Sequence, residues 1–427
     1  MPEVTLVLFH TPRRAGAPPL TALLDIGREA LAERQVALFR RAGVDRVVLA
    51  AGRGALSSQD GAVSPAAGMV RFAAGRPEAR AEGTPAASVA AGSRFEFARP
   101  LPPLRPTGGH TFGEALAGLV RDERIDACVV LGDGAVPRLR LNDARRLVER
   151  ARGGGAQALT NNRYSSDVCA VADAAVLRDL PPLPSDNALP RWLEERAGFD
   201  VGELGGRERL ALDLDTPLDL ALLALAPDCP APLRRLVSMS GLGVPRADEV
   251  RVVAADPRRE LLVFGRSSSG TLAWLERHVR CRVRFLAEER GMRASSPLAI
   301  GAVPSRGETP PGSTKLPPVV PERQPRATLG RLLEREGPGS LGRLVATLAD
   351  AAVVDTRVLL ADRLGADEAA WPGAEDRFAS DLLLADRVGD PWLRELTAGS
   401  LVAPTPIVLG GHSLVGPGVP LLLRGIR

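Results

Sequence analysis

The sequence predicts an α/β protein with an open, mostly parallel sheet, helices on both faces of that sheet, and a mainly helical C-terminal region. Two observations support this fold class. Short runs of branched apolar residues are typical of strands buried on both faces, and they occur at 4–9, 46–51 and 127–131. Segments with helical spacing follow these runs, at 29–42, 112–122 and 142–152. This alternation indicates parallel strands joined by crossover helices.

The alternation continues to about residue 225. Its later elements are predicted strands at 166–172 and 210–214 and predicted helices at 188–197 and 218–225. Pro217 suits the first turn of the last of these helices. The segment 52–107 is rich in Ala, Gly, Pro and Arg, and it contains only weak strand signals, at 70–72 and 94–97.

The chain of 427 residues exceeds the size at which one hydrophobic core usually keeps growing, so several domains are expected. The predicted divisions are a first domain at 1–235, a small α+β segment at 236–300, a Pro/Gly-rich linker at 301–328 and a mainly helical region at 329–427. Within the second division, 252–254 and 260–264 are predicted to pair as strands. The pattern at 271–289 predicts a helix.

The charge pattern argues against a nucleic-acid surface. The net charge is +4, and Lys315 is the one lysine of the chain, an arginine bias typical of high-GC bacteria. Arginines and acids are interspersed, and one Tyr with four Trp leaves few rings for stacking on bases. We therefore expect no nucleic-acid partner.

Cysteine spacing and hydropathy suggest a cytoplasmic protein. The four cysteines form no CxxC pair, which favours core cysteines over a zinc or redox site. The first residues lack the pattern of a signal peptide, and no stretch approaches the ~20 apolar residues of a membrane span. We expect no membrane association, and the sequence leaves a homo-oligomeric state open.

Acidic residues follow two of the predicted strands. Asp133 comes directly after the strand at 127–131, and Asp213 and Asp215 lie at the end of the predicted strand at 210–214. Carboxylates at the carboxyl ends of parallel strands can converge and hold Mg²⁺, which prefers oxygen ligands. The alternative is that Asp215 caps the helix beginning at Pro217 and that Asp133 lies in a simple turn.

Several segments resemble a known superfamily. PLTALLDIG, LAERQ and RAGVDRVVL, at 19–27, 31–35 and 41–49, resemble the opening βαβ unit of the MobA-like NTP transferases, which have the GT-A fold of nucleotide-diphospho-sugar transferases. LALDLDTPLDL at 210–220 is similar to the closing motif of the 2-phospholactate guanylyltransferases of coenzyme F420 synthesis. Thr160-Asn161-Asn162 and Ser185-Asp186-Asn187-Ala188 resemble their substrate loops. The resemblance covers residues 3–228.

The resemblance implies a Mg²⁺-dependent nucleotidyltransferase. Its partners would be an NTP and a phosphorylated small molecule, which attacks the α-phosphate so that pyrophosphate leaves. Asp133 would be the central metal ligand, and Asp213 and Asp215 would be second ligands. The residues implied for nucleotide binding are His10, Thr11, Gly16, Thr160, Asn161, Ser185 and Asn187.

The first loop departs from the family pattern. It is HTPRRAG at 10–16, where relatives have a Gly-rich phosphate cradle with a basic residue, and Thr21 replaces a frequent lysine. Arg13 and Arg14 are candidate catalytic replacements, because guanidinium groups bind phosphate oxygens bidentately. The alternative is a solvated arginine pair, in a loop whose bulky residues prevent close backbone approach to phosphate.

Two other functions remain open. In one, the first domain is a catalytically degenerate sensor or scaffold that binds a nucleotide or sugar phosphate. In the other, the C-terminal region is itself an enzyme. In the α+β segment at 236–300, the loop GRSSSG at 265–270 precedes a helix and is suited to anion binding, although Ser268 or Ser269 would equally cap that helix. A weaker candidate site consists of His412, Glu375, Asp376 and Asp381.

Overall fold

The computed structural model describes residues 2–13, 15–51, 104–105, 111–288, 325–411 and 413–426. The predictions for Arg14, His412, the strand signals at 70–72 and 94–97, and most of the linker lie outside these residues. The chain divides into two compact units, Met1–Gly243 and Val244–Arg427, and each is described by itself.

The described part of the first unit contains seven strands and six α-helices. The strands are β1 (Val4–His10), β2 (Arg46–Ala51), β3 (Leu104–Arg105), β4 (Ala127–Gly132), β5 (Gln157–Thr160), β6 (Val168–Val171) and β7 (Asp200–Glu203). The helices are α1 (Pro19–Ala42), α2 (Phe112–Asp122), α3 (Leu141–Arg152), α4 (Leu189–Glu195), α5 (Pro217–Ala224) and α6 (Ala231–Ser240). Short 3-10 turns lie at Ala174–Asp179 and Asp186–Ala188.

These strands form one mostly parallel sheet in the order β3-β2-β1-β4-β6-β5-β7. Only β6 runs antiparallel to its neighbours among the described strands. The chain leaves β1 toward β2 and β3 on one side, and then continues with β4 on the other side. The topological switch point, where open α/β sheets bind ligands, therefore lies between β1 and β4.

The hydrophobic core occupies both faces of the sheet. Successive residues of β1 point to opposite faces, and they are apolar on both. Leu6 and Leu8 pack with residues of α1 and α3, whereas Val7 packs on the other face with residues of α2 and α4. The predicted open, mostly parallel sheet with helices on both faces is thus confirmed.

The strand predicted at 210–214 is wrong, because this segment is not part of the sheet. Leu210, Leu212 and Leu214 are all buried, which explains the alternating, strand-like pattern. The Leu214 N–H instead donates to the Gly134 carbonyl (2.9 Å), in the turn after β4. Burial of every second side chain needs an apolar surface beneath the segment, but it needs no neighbouring strand.

The described part of the second unit contains a four-stranded, fully parallel sheet in the order β11-β10-β8-β9. Its strands are β8 (Glu260–Gly265), β9 (Arg282–Ala287), β10 (Ala351–Asp355) and β11 (Ile407–Gly410). Its helices are α7 (Ala247–Ala254), α8 (Ser269–His278), α9 (Thr328–Glu336), α10 (Leu341–Ala346), α11 (Thr356–Leu364), α12 (Ala374–Asp381), α13 (Pro391–Leu401) and α14 (Val419–Leu422), with a π-helical turn at Leu414–Gly418.

The region 329–427 is mainly helical, as predicted, and its two described strands share a sheet with β8 and β9. Two predictions before it are wrong. Residues 252–254 lie in α7, whose buried Val250, Val253 and Ala254 follow helical spacing. The segment predicted as one helix at 271–289 contains α8 and then β9. Short apolar runs do not distinguish helix from strand by periodicity alone.

No helix in the described ranges is long and apolar enough to cross a membrane.

Two glycines of α2 provide a matched test of this packing. A Cβ on Gly113 would lie 2.0 Å from the Pro181 carbonyl oxygen and 2.6 Å from the Leu183 nitrogen, whereas Gly118 has no atom within 4 Å. Gly118→Ala is expected to stabilise the protein by about 1 kcal/mol through helix propensity. Gly113→Ala should destabilise it by about 1–3 kcal/mol, because backbone must move. Urea unfolding measures both, and changes of the same sign would contradict this packing.

Candidate functional site

The switch point of the first unit holds a buried His–Asp pair. His10 ends β1 and Asp133 follows β4, so both side chains lie at the carboxyl edge of the sheet. His10 Nδ1 is 2.9 Å from Asp133 Oδ2, and the Thr11 N–H donates to the same oxygen (2.9 Å). The other oxygen, Oδ1, accepts no hydrogen bond from the described residues. One oxygen of Asp133 is therefore held by the protein, and the other remains for a ligand.

The segment that carries Asp213 is joined directly to the turn after β4. Besides the bond between Leu214 and Gly134, the Val136 N–H donates to Asp213 Oδ1 (3.3 Å). A Cβ on Gly134 would lie 2.9 Å from the Leu214 carbonyl oxygen, so the glycine permits this close approach. The structure thus brings Asp133 and Asp213, selected from distant parts of the sequence, to one crevice.

Asp213 shares a hydrogen bond with a second carboxyl group, that of Asp167. Burial, with a smaller contribution from the charge of Asp215, raises the pKa of Asp167 to about 6. Burial also raises the pKa of Asp213 well above its usual range, and the charges of Asp167 and Asp215 add to this effect. The pKa of Asp186 is raised to about 7 by burial and by Asp167. The surroundings of these three carboxyl groups therefore disfavour their charged forms, chiefly through burial and secondarily through the neighbouring acids.

Thr160 and Asn161, predicted to bind the nucleotide, shape the loop that presents Asp167. Asn161 Nδ2 donates to Asp167 Oδ2 (2.6 Å), and Asn161 Oδ1 accepts the Asp167 N–H (3.0 Å). Thr160 Oγ1 lies 2.9 Å from Ser166 Oγ. Both predicted residues are buried. Their hydrogen bonds therefore stabilise the rim of the crevice.

Ser185 and Asn187, also predicted to bind the nucleotide, belong to a second loop tied to the first. Ser165 Oγ donates to Asn187 Oδ1 (2.8 Å), and Asn187 Nδ2 donates to Ser185 Oγ (3.4 Å). Asp186, between them, is the acid whose pKa is raised by burial and then by the charge of Asp167. The two loops thus present their acids to a common space.

The altered first loop places its described arginine on α1. Arg13 forms an ion pair with Glu29, and Gly16 adopts a positive φ of 74° in an exposed turn. Burial and the charge of Glu29 raise the pKa of Glu33 to about 7, against the opposing charge of Arg13. In this arrangement Arg13, in the loop before α1, neutralises acids of that helix.

Asp215 is exposed and pairs with Arg28, whose NH2 group lies 3.3 Å from Asp215 Oδ1. Arg28 Nε also donates to the Leu214 carbonyl (2.7 Å). The helix cap considered for Asp215 is wrong, because Thr216 caps α5 by accepting the Asp219 N–H (3.1 Å). Asp215 therefore contributes charge to the mouth of the crevice.

Sequence reasoning missed Asp167, Asp186 and Arg28 as site residues. Asp167 precedes a strand, and residues before parallel strands lie at the opposite edge of the sheet. Because β6 is antiparallel, with Val168 opposite Leu131, its first end lies beside the end of β4. Asp186 lies within the segment Ser185-Asp186-Asn187-Ala188, in which only Ser185 and Asn187 were predicted to bind the nucleotide. Nothing in the sequence around Arg28 indicated a site residue apart from its positive charge.

The donor chemistry of the crevice fits Mg²⁺. Within the described ranges, no three or more His, Cys, Asp or Glu side chains form a group that could hold a metal ion. Mg²⁺ is, however, commonly bound by one or two carboxylates together with substrate phosphates and water. Asp133 and Asp213 suit that mode, because Asp133 Oδ1 accepts no hydrogen bond from the described residues and Asp213 lies beside a second carboxyl group, that of Asp167. Their role, and that of Asp215, as Mg²⁺ ligands stays a prediction.

Comparisons with known proteins give only distant likenesses. No protein-family model and no curated protein matches the chain. One similar solved structure is that of an inferred nucleotide-diphospho-sugar transferase from Desulfovibrio desulfuricans G20. The two sequences are 14% identical, the TM-score is 0.35, and the match covers 56% of this chain and 96% of that chain. Another is Rv0371c from Mycobacterium tuberculosis H37Rv, with 18% identity, a TM-score of 0.29, and coverage of 56% and 98%. At these scores the likenesses carry no functional information.

The stability of this unit is expected to depend on pH in opposite directions through Asp167 and Asp213 on the one hand and through Asp45 on the other. Asp167 and Asp213 have raised pKa values in the folded state, so their contribution to stability falls as pH rises above the usual carboxyl range of about 4, through about 6 for Asp167 and to a pH well above the usual range for Asp213. Asp213→Asn removes the cost of ionising this carboxyl group, which comes chiefly from burial and then from the charges of Asp167 and Asp215. It should therefore stabilise the protein at pH 7.5 by about 1–2 kcal/mol, with the gain fading toward pH 4.

Asp45→Asn is the matched control of opposite sign. Hydrogen bonds from the Val4 N–H and from Arg152 lower the pKa of Asp45. Its stabilising contribution is therefore present above the unfolded pKa and is lost as pH falls. This variant should be destabilised at pH 7.5 and approach the wild type in acid. Urea unfolding at several pH values measures both, and a destabilised Asp213→Asn at pH 7.5 would contradict the raised pKa of Asp213.

Proposed function

We propose that the first unit is a Mg²⁺-dependent nucleotidyltransferase that joins an NTP to a phosphorylated small-molecule acceptor and releases pyrophosphate. The observation that carries this proposal is that Asp213 is joined to the turn that begins at Asp133, at the carboxyl edge of the sheet beside its switch point. Open α/β sheets bind ligands in that crevice. The resemblance of residues 3–228 to NTP transferases supports the nature of the ligand.

The charge of the crevice supports a cation-dependent reaction. A triphosphate would be repelled by the acids unless a cation lay between them. Bound Mg²⁺ supplies charge neutralisation at the phosphates during attack. In this chain Asp133 and Asp213 would hold it, and Asp133 is oriented by His10 Nδ1 and by the Thr11 N–H.

Arg28 is the cation best placed to assist. It lies beside Asp215 at the mouth of the crevice and is anchored through Nε to the Leu214 carbonyl. A guanidinium in this position can bind phosphate oxygens, with Asp215 as its partner when no phosphate is bound. Thr160 and Asn161 act less directly, by holding the loop that carries Asp167.

A second candidate function is nucleotide or sugar-phosphate binding without turnover. The ion pair of Arg13 with Glu29 favours it, because this arginine is the described replacement for the basic residue of the phosphate loop. A domain that binds a phosphorylated ligand but lacks that contact would serve as a sensor or scaffold. Turnover distinguishes the two functions.

The first test is thermal stabilisation of the full chain by GTP, CTP, ATP and UTP, each with and without Mg²⁺. We expect one nucleotide to raise Tm by several degrees only with Mg²⁺, because ligand at about 100 times Kd stabilises by about 2.7 kcal/mol. Asp133→Asn should abolish this increase, although its side-chain oxygen can still accept the hydrogen bond from the Thr11 N–H. Asp200→Asn, at the opposite edge of the sheet with an 80% exposed side chain, should retain it.

Pyrophosphate release with phosphorylated hydroxy acids as acceptors is the second test. If the first unit is a transferase, Asp133→Asn should lower turnover about 10²–10³-fold, which is the loss typical of removing one electrostatic contact to the transition state. Stabilisation without turnover for any acceptor supports the sensor. No stabilisation by any nucleotide contradicts both functions.

A further inference from the structure

The turn after β4 contains a strained residue. Val136 adopts a positive φ of 41°, in the left-handed region that β-branched side chains rarely enter. Its side chain is 0% exposed and belongs to the core cluster that also contains Val36 of α1 and Leu147 of α3. A conformation of this kind costs free energy, and it persists only when the surrounding structure determines it. Contacts from neighbouring elements must therefore hold Val136 in place.

Gln35, on α1, holds this turn from the side of the helix. Its Nε2 donates to the Ala135 carbonyl (3.0 Å) and to the Val136 carbonyl (3.2 Å). The Leu139 N–H also donates to the Val136 carbonyl (2.9 Å). The Ala135 carbonyl, by contrast, faces the solvent-free interior beside α1, where Gln35 supplies its donor. The helix thus fixes the direction of the peptide group that begins with this carbonyl.

That peptide group connects Gln35 to Asp213. The Ala135 carbonyl and the Val136 N–H belong to one planar unit, in which they point in opposite directions. The carbonyl accepts the hydrogen bond from Gln35, and the N–H donates to Asp213 Oδ1 (3.3 Å). The side chain that fixes the carbonyl therefore also fixes the direction in which the N–H points.

The burial of Gln35 costs stability. The residue is 0% exposed, and its Oε1 has no hydrogen-bond partner among the described residues. Buried polar atoms of this kind lose hydration without replacement and are rare in folded proteins. The reversed amide orientation would place Oε1 against two carbonyl oxygens, so Nε2 is the atom that faces the turn. An apolar side chain would fill the same space without an unpartnered oxygen, so the role of Gln35 lies in the turn that it holds.

We propose that Gln35 is a positioning residue for Asp213. It acts through the peptide group between Ala135 and Val136, and it keeps the Val136 N–H directed at Asp213 Oδ1 against the conformational preference of valine. Asp213 is thereby presented to the crevice in a fixed orientation. For a cation held by Asp133 and Asp213, such support of a ligand raises affinity. This last step rests on the function proposed above.

A double-mutant cycle between Gln35 and Asp213 tests the positioning without any ligand. Gln35→Met keeps a side chain of similar length and removes its donor. Urea unfolding of the full chain at pH 7.5 with EDTA compares the effect of this substitution in the wild type and in Asp213→Ala. We expect a smaller shift of the unfolding midpoint in Asp213→Ala, because the hydrogen bond that Gln35 supports is already absent there. A purely structural role for Gln35 would give equal shifts in both backgrounds.

Val136→Gly provides a rescue. Glycine enters the left-handed region without steric cost, so the turn depends less on Gln35 to remain there. Loss of the buried valine side chain itself destabilises the chain, so the comparison is made within this background. Gln35→Met should shift the midpoint less in Val136→Gly than in the wild type. The control is Gln157→Met, at an exposed position where β5 begins, and its effect should be the same with and without Asp213→Ala.

Mn²⁺ affinity separates this inference from the function on which its last step rests. With whichever of the four nucleotides raises Tm, Gln35→Met should bind Mn²⁺ about 10-fold more weakly than the wild type, and the double variant with Val136→Gly should lose less. Equal midpoint shifts in the wild type and in Asp213→Ala overturn the positioning role, and equal Mn²⁺ affinity overturns its support of the cation. Unequal shifts in a chain that binds no Mn²⁺ uphold the positioning of Asp213 and contradict the proposed function.

Discussion

The close contact between the half-buried carboxyl groups of Asp167 and Asp213, which share a hydrogen bond, is the constraint on which the crevice of the first unit depends. Like charges this close cost free energy unless a proton or a cation lies between them. The surrounding structure nevertheless enforces the contact: Asn161 holds Asp167 on one side, and the Val136 N–H holds Asp213 on the other. Strain of this kind persists when the rest of the fold determines the geometry, and it is concentrated at functional sites.

Much of the first unit could be predicted from the sequence, because its central strands are buried on both faces and leave continuous apolar runs. The sequence also predicted that Asp133 and Asp213 converge at one edge, but for Asp213 the reason was wrong, because its segment is not a strand and reaches the crevice through the hydrogen bond between Leu214 and Gly134. The contribution of Asp167 could not be predicted, since strand direction is not encoded in an apolar run. The antiparallel β6 reverses which end of a strand reaches the crevice, and Asp167 lies before that strand.

The second unit was harder to predict for two physical reasons. Its sheet combines β8 and β9 with β10 and β11, which are separated by the long Pro-rich segment at 301–328, and such pairing depends on contacts distant in sequence. Its short apolar runs also fit the periodicity of a helix or of a strand, so residues 252–254, which lie in α7, were predicted to form a strand. The loop before α8 was recognisable from its serines and glycines, and Ser268 caps that helix by accepting the Thr271 N–H, which is one of the two predicted alternatives.

The central claim is that the acidic crevice of the first unit holds a divalent cation. Mn²⁺ binding to the full chain at pH 7.5, followed by the loss of the free-ion signal in electron paramagnetic resonance, tests it most directly. The account predicts about one bound Mn²⁺ per chain in the presence of the stabilising nucleotide, with an affinity at least about 10-fold lower in Asp213→Asn and unchanged in Asp200→Asn. No bound Mn²⁺, or equal affinity in all three proteins, would contradict it.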